Sequence, residues 1–168
     1  MSSAVVGIGA CVMDTLVSVP HYPKEDTKLR AASTKQSGGG PTATGIVAAA
    51  KLGVCCDFIG TLSEDSVGNF LINDFKKYGV GTSGIDVLPG YRPFSSTVWL
   101  SSETTSRTCV FDKGNLPGTV LDDAKKQLIK NAKVLMVDGN DLNCAVEAAA
   151  FARQNGVLVL YDAGGLYE

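Results

Sequence analysis

Short apolar runs alternate with stretches of helical periodicity along almost the whole chain. Residues 4–12 read as a buried strand interrupted by Gly7 and Gly9, and residues 28–36 as a more polar, half-exposed strand. A small-residue stretch over about 41–52 reads as a helix, with Pro41 acceptable in its first turn. Residues 54–60 read as a second buried strand. Val67, Phe70, Leu71, Phe75 and Tyr78 then recur at helical spacing, with Glu64 and Asp65 near the positive end of that helix and Gly79 and Gly81 as its stop. Residues 94–101 and 107–111 flank a polar turn at 102–106 and read as a hairpin. Thr119, with Asp122 three residues on, predicts a capping box for a helix to about Lys130. Residues 134–137, 141–154 and 157–161 read as buried strand, helix and buried strand.

Buried strands separated by helices imply an α/β fold with a parallel sheet, whose ligands sit at the carboxyl ends of the strands. Asp14, Asp138 and Asp162 all fall at such predicted ends. The two polar strand regions, about 28–37 and 94–112, do not fit a buried sheet and are read as a separate flap.

Composition narrows the function classes. A chain of 168 residues fits one domain with a real core, and a net charge of -2 provides no basic footprint for nucleic acid and no polybasic membrane patch. No apolar run approaches the length of a membrane span, and Met1-Ser2-Ser3-Ala4 lacks the charged start of a secretory signal. The five cysteines are odd in number and show no Cys-x-x-Cys pair. Cys55-Cys56 lies in an apolar run that suits buried, reduced thiols, so a cytoplasmic location is expected.

The densest chemical signal is Gly38-Gly39-Gly40 ahead of Pro41-Thr42-Ala43-Thr44-Gly45. Bare backbone before a helix lets a polar or anionic ligand approach unpaired N–H groups. The same residues also read as a flexible loop ahead of a packed helix. The run is not a P-loop, because Ile46-Val47 replace the Lys-Ser/Thr pair. Gly7-Ile8-Gly9 has Val12 where a dinucleotide fingerprint needs its third glycine. His21 is the only histidine, which disfavours a His relay or a multi-His metal site and leaves it as a surface loop residue.

Gly7-Ile8-Gly9 leading to Asp14, the segment Tyr22-Pro23-Lys24-Glu25-Asp26, and Gly39-Gly40 running into Lys51-Leu52-Gly53 form an ordered series. Ile59-Gly60, Ser106-Arg107-Thr108 and Val137-Asp138-Gly139 continue it. This series resembles the ribokinase/PfkB carbohydrate kinases, in particular their ketohexokinase-like branch. The resemblance implies a ribokinase-like parallel sheet flanked by helices with a small β flap. It also implies phosphoryl transfer from ATP, with Mg2+, to a sugar-like hydroxyl.

Read as residues alone, Asp14 caps a turn, Asp26 is a solvated loop charge and Arg107 is an exposed hairpin cation. The resemblance makes Asp14 an acceptor for substrate hydroxyls. It makes Gly39 and Gly40 the place where backbone approaches the sugar and the flap hinges. Thr44 stands where many members carry a sugar-binding Asn, and Pro41 where the ketohexokinase-like branch carries another, so fructose is not assigned as the substrate. Arg107, and with it Asp138, is expected on the phosphate side, and Asp26 in the partner's site of a flap-mediated homodimer. The family's Gly-Ala-Gly-Asp motif, which supplies the catalytic base, has no match in the 168 residues. The expectation is therefore an incomplete ribokinase-like domain over 1–168, lacking the C-terminal part of the fold, with no catalytic residue or metal ligand of its own. Such a chain is inactive alone or serves as a sugar-binding or dimerisation module.

Overall fold

The computed structural model describes residues 3–165; Met1, Ser2 and residues 166–168, the ends of the expected 1–168 unit, lie outside the described residues. The chain runs β1 (Val5–Ile8), β2 (Val12–Val19), β3 (Ser33–Gly39), α1 (Pro41–Lys51), β4 (Cys56–Ser63), α2 (Ser66–Lys77) and β5 (Val80–Leu88). It continues through β6 (Ser95–Ser101), β7 (Arg107–Asp112), α3 (Asp123–Lys130), β8 (Val134–Asp138), α4 (Leu142–Gln154) and β9 (Leu158–Asp162). A short 3-10 turn, Ala163–Gly165, follows. The expected α/β architecture is present. A five-stranded sheet in the order β5-β4-β1-β8-β9 pairs in parallel throughout, and a four-stranded sheet in the order β3-β2-β6-β7 stands apart from it.

The two-residue period of β1 divides the core. Val6 and Ile8 pack with Ile129, Leu135, Ala145 and Ala148 on the side of α3 and α4. On the other side, Ile46, Phe58, Phe75 and Val80 form a second cluster under α1 and α2, where the Phe58 and Phe75 rings stack with centroids 4.8 Å apart. Helix α1 lies close to β1 because Gly7 has no side chain: a Cβ there would come within 2.4 Å of Ile46 Cγ1. Small residues do the same for α4, which buries Cys144, Ala145, Ala148 and Ala152. Helix α2 starts where Asp65 accepts from the backbone N–H groups of Val67 and Gly68, both at 2.9 Å, and from the Ser63 hydroxyl at 2.8 Å.

Several expectations need correction. The first strand stops at Ile8; Ala10 turns away, donating its N–H to Asp138, and Val12 opens a different strand. Asp14 therefore lies inside β2, in the small sheet, and not at the carboxyl end of a main-sheet strand. The flap consists of four strands, and its polar strand runs Ser33–Gly39, later than 28–36, so that Gly38 and Gly39 are strand residues. Strand β5 occupies the segment where Gly79 and Gly81 were read only as a stop. Gly81 in this strand packs directly against Asp57, whose Oδ1 a Cβ there would meet at 1.8 Å, so any larger residue would push that carboxylate aside.

Asp122, not Thr119, caps α3: its Oδ1 accepts from Lys125 N at 2.9 Å, while Thr119 N donates to Asp141 Oδ2 at 2.7 Å. Strand β9 is an edge, with Leu158 71% and Leu160 54% exposed, because it pairs only with β8 among the described residues. Cys56 is buried but Cys55 is exposed. No helix among the described residues is long and apolar enough to cross a membrane.

Candidate functional site

The two sheets enclose a cleft of about 900 Å³. Its floor is the carboxyl ends of β8 and β9, with Asp138, Gly139 and Asp162. The first turn of α1 supplies one wall through Pro41, Thr44 and Gly45, and Gly38, Gly39 and Gly40 form the corner beside it. The flap closes the top with Val12 and Asp14 of β2, Ser96 and Val98 of β6, and Arg107, Cys109 and Phe111 of β7. Apolar walls with a few convergent polar groups suit a small polyol, whose ring faces need burial and whose hydroxyls need partners.

Asp14 is half-buried at the flap's centre, where β2 pairs it with Ser37 on one side and Ser96 on the other. The Ser96 hydroxyl donates to its Oδ1. Gly39 sits against the same carboxylate: a Cβ on Gly39 would lie 2.0 Å from Asp14 Oδ2. The carboxylate thus keeps its place over the cleft only because Gly39 has no side chain. Gly40 is needed for its backbone. Its φ is 98°, and a Cβ would meet the Ala10 carbonyl at 2.3 Å.

Asp138 is 1% exposed, and its carboxylate is engaged within the chain. Oδ2 accepts from Ala10 N at 2.9 Å, from the Thr42 hydroxyl at 2.8 Å and from Thr42 N at 3.2 Å; Oδ1 accepts from Asn140 N at 2.9 Å. It ties together the end of β1, the first turn of α1 and the loop after β8. Helix α1 has no capping side chain of its own at Gly40, so Asp138 supplies that bond across the sheet. Gly9 makes room for it, since a Cβ there would stand 2.3 Å from Asp138 Oδ2.

Of the residues singled out from sequence, Asp14, Gly39, Gly40, Thr44, Arg107 and Asp138 converge on the cleft. Asp26 does not: it is exposed at φ 56° in the loop between β2 and β3, outside the cleft of its own chain. Ser96, Phe94, Lys113 and Asn140 line the cleft without having been singled out, because they sit in segments read only as hairpin or loop. His21 is exposed, with its ring nitrogen 3.1 Å from the Tyr22 carbonyl. Among the described residues no three His, Cys, Asp or Glu side chains gather to hold a metal ion.

Mouse ketohexokinase is 30% identical over 135 residues, which cover 80% of this chain and 45% of the relative. The 5-dehydro-2-deoxygluconokinase of Clostridium perfringens (strain 13) is 28% identical over 166 residues, covering 94% of this chain and 48% of the relative. The structure of Arabidopsis thaliana ribokinase complexed with ribose and ATP matches with a TM-score of 0.83 at 22% identity, over 99% of this chain and 55% of that one. The chain therefore spans about half the length of the relatives it matches. Residues 2–165 match the pfkB family carbohydrate kinases, and the chain belongs to that family.

Proposed function

We propose that this chain forms the acceptor-binding part of an ATP-dependent carbohydrate kinase. The observation that carries the reading is the Asp14 carboxylate, held by Ser96 over a cleft roofed by the flap, with bare Gly39 backbone beside it. An ionised carboxylate accepts several hydroxyl bonds at once, which is what a polyol presents. Gly39, Gly40 and Thr44 border the same space, so the sugar lies between Asp14 and the first turn of α1. The flap keeps water from the acceptor hydroxyl, as phosphoryl transfer requires.

Arg107 faces the cleft from β7 and suits the charge of a phosphoryl group. Asp138 acts through position: it sets the first turn of α1, against which the sugar rests. ATP as donor follows from family membership, and the matched ribokinase was solved with it. Mg2+ would arrive on the ATP phosphates, since among the described residues no three His, Cys, Asp or Glu side chains gather to hold it.

Residues 1–168 hold no Gly-Ala-Gly-Asp motif. By themselves they bind an acceptor without deprotonating its hydroxyl, and turnover needs a base supplied from elsewhere. A second reading, a sugar-binding or dimerisation module, is favoured by β7, whose six residues are all exposed. In a flap-paired homodimer Asp26, which its own cleft leaves unused, reaches the partner's site.

The test is calorimetric titration of the folded chain with a panel of sugars, beside ATP turnover and sedimentation. Saturable sugar binding that Asp14→Asn weakens at least tenfold, without turnover, is expected. Turnover by these residues alone overturns the assigned inactivity. Binding that ignores Asp14→Asn overturns the site.

A further inference from the structure

Behind the glycines that border the cleft lies a smaller pocket of about 180 Å³, between α1, α2 and the end of β3. Gly38, Gly39 and Thr44 line both spaces. We infer that this pocket binds a small zwitterion of the α-amino acid class, its ammonium on Asp74 and its carboxylate beside Lys51, and that its occupancy changes sugar affinity in the cleft. The second part rests on the carbohydrate-kinase reading of the cleft; the first does not.

Strand alternation puts the two spaces back to back, since successive residues of a strand face opposite sides. A Cβ on Gly39 would meet Asp14 Oδ2 at 2.0 Å, and one on Gly38 would meet Asp74 Oδ2 at 2.7 Å. Two residues of bare backbone therefore separate a carboxylate over the cleft from a carboxylate in the pocket. A ligand that draws on Asp74 acts on the strand against which Asp14 rests.

The wall selects both ends of the ligand. Among the described residues no hydrogen bond or ion pair engages the Asp74 carboxylate, and no ion pair engages Lys51. Burial first, and the Asp74 charge second, push the Cys11 thiol up, so that charge reaches the inner wall, where Cys11 sits. Lys51 is exposed in the last turn of α1, its Nζ 5.4 Å from the centre of the Tyr78 ring. Lys77 Nζ lies 5.1 Å from the same ring and adds positive charge on that side. Val47, Leu71 and Phe75 supply apolar wall for an aliphatic side chain. A lone cation would gain Asp74 but meet the Lys51 ammonium, and a lone anion the reverse; a zwitterion satisfies both. At roughly 30 Å³ per water the volume equals about six waters, room for alanine or serine.

Calorimetry on the folded chain compares L-alanine and L-serine with ethylamine and propionate, each of which keeps one charged end. Expected is saturable binding of at least one amino acid, about tenfold or more tighter than either half-molecule, since each lacks one charge-assisted bond. Lys51→Gln is expected to lower it to the ethylamine level, and Asp74→Asn to the propionate level. Lys51 is exposed, and an unchanged circular dichroism spectrum separates lost recognition from lost folding. Binding of neither amino acid, binding no tighter than the half-molecules, or binding that both variants leave intact overturns the site. Saturating amino acid is expected to shift the affinity for the bound sugar about fivefold or more, and the sugar to shift the amino acid's by the same factor. Binding of both without that shift overturns the coupling. Amino-acid binding with no sugar binding overturns the cleft's assignment and the coupling together, and the amino-acid site stands.

Discussion

Gly40 and Asp138 hold the first turn of α1 from opposite sides, and both are sensitive to single atoms. Gly40→Ala adds a methyl at φ 98° and 2.3 Å from the Ala10 carbonyl. It is expected to cost about 2–3 kcal/mol, read by urea unfolding. Asp138→Asn keeps the shape but turns one acceptor oxygen into an N–H donor facing other donors. A loss of about 3 kcal/mol is expected, with weaker sugar binding because Thr44 moves with the turn. Reading Asp138 as a phosphate-side group from sequence was natural, since an acidic residue at a strand end marks a ligand site as readily as a scaffold. Two of its three partner residues, Ala10 and Thr42, lie 128 and 96 positions away in the chain, and no local pattern announces them.

At the scale of single elements, caps and register carry the weight. Asp65 at the start of α2 is partly desolvated, which raises its pKa. The N–H groups of Gly68 and Val67 and the Ser63 hydroxyl outweigh this and hold it below the ordinary 3.8. A carboxylate lowered by folding contributes fully above its unfolded value, and the contribution is lost as pH falls through the folded value. Asp65→Ala is therefore expected to cost about 1 kcal/mol at neutral pH. The gap between wild type and variant narrows below about pH 3.8, measured by chemical unfolding at a series of pH values.

The α3 helix shows the opposite ionic arrangement. Lys125 is 4% exposed, and burial alone lowers its pKa, yet its bonds to Asp122 at 2.7 Å and Asp86 at 3.2 Å raise it overall. A raised lysine gives its stability at neutral pH and loses it only in strong alkali. Helices α1, α2 and α4 were legible because an 11- to 13-residue periodic stretch is a strong local signal. Strands β2 and β5 were not, since Asp14, Gly81 and Gly84 break their patterns for reasons that lie on neighbouring strands.

For the whole molecule, the cleft lies between the flap and the main sheet, and Cys109 is the cysteine that borders it. Burial, with Asp74 nearby, pushes the Cys11 thiol up. Burial, with Asp141 and Glu147 and against Lys125, pushes Cys144 up to about 12. Cys56 is also raised, first by burial. Thiolates are the reactive form, so labelling at neutral pH is expected at exposed Cys55 and Cys109. Cys109 lines the cleft and Cys55 does not. Saturating sugar is expected to slow labelling of Cys109 at least fivefold and leave Cys55 unchanged, as mass spectrometry of labelled peptides can follow. Equal rates with and without sugar rule out a flap that covers the bound acceptor.

The sequence by itself determined the class of fold, most helices, the hairpin of β6 and β7, and the family, because period, glycine placement and motif order are local or ordered along the chain. Tertiary structure alone decided that Asp14 belongs to the flap, that Asp138 is a buried tie and that Asp74 lines a pocket behind Gly38. Each depends on which strands lie side by side. Register and crossover are set by packing across the core, where residues more than a hundred positions apart, such as Ala10 and Asp138, bond directly to each other.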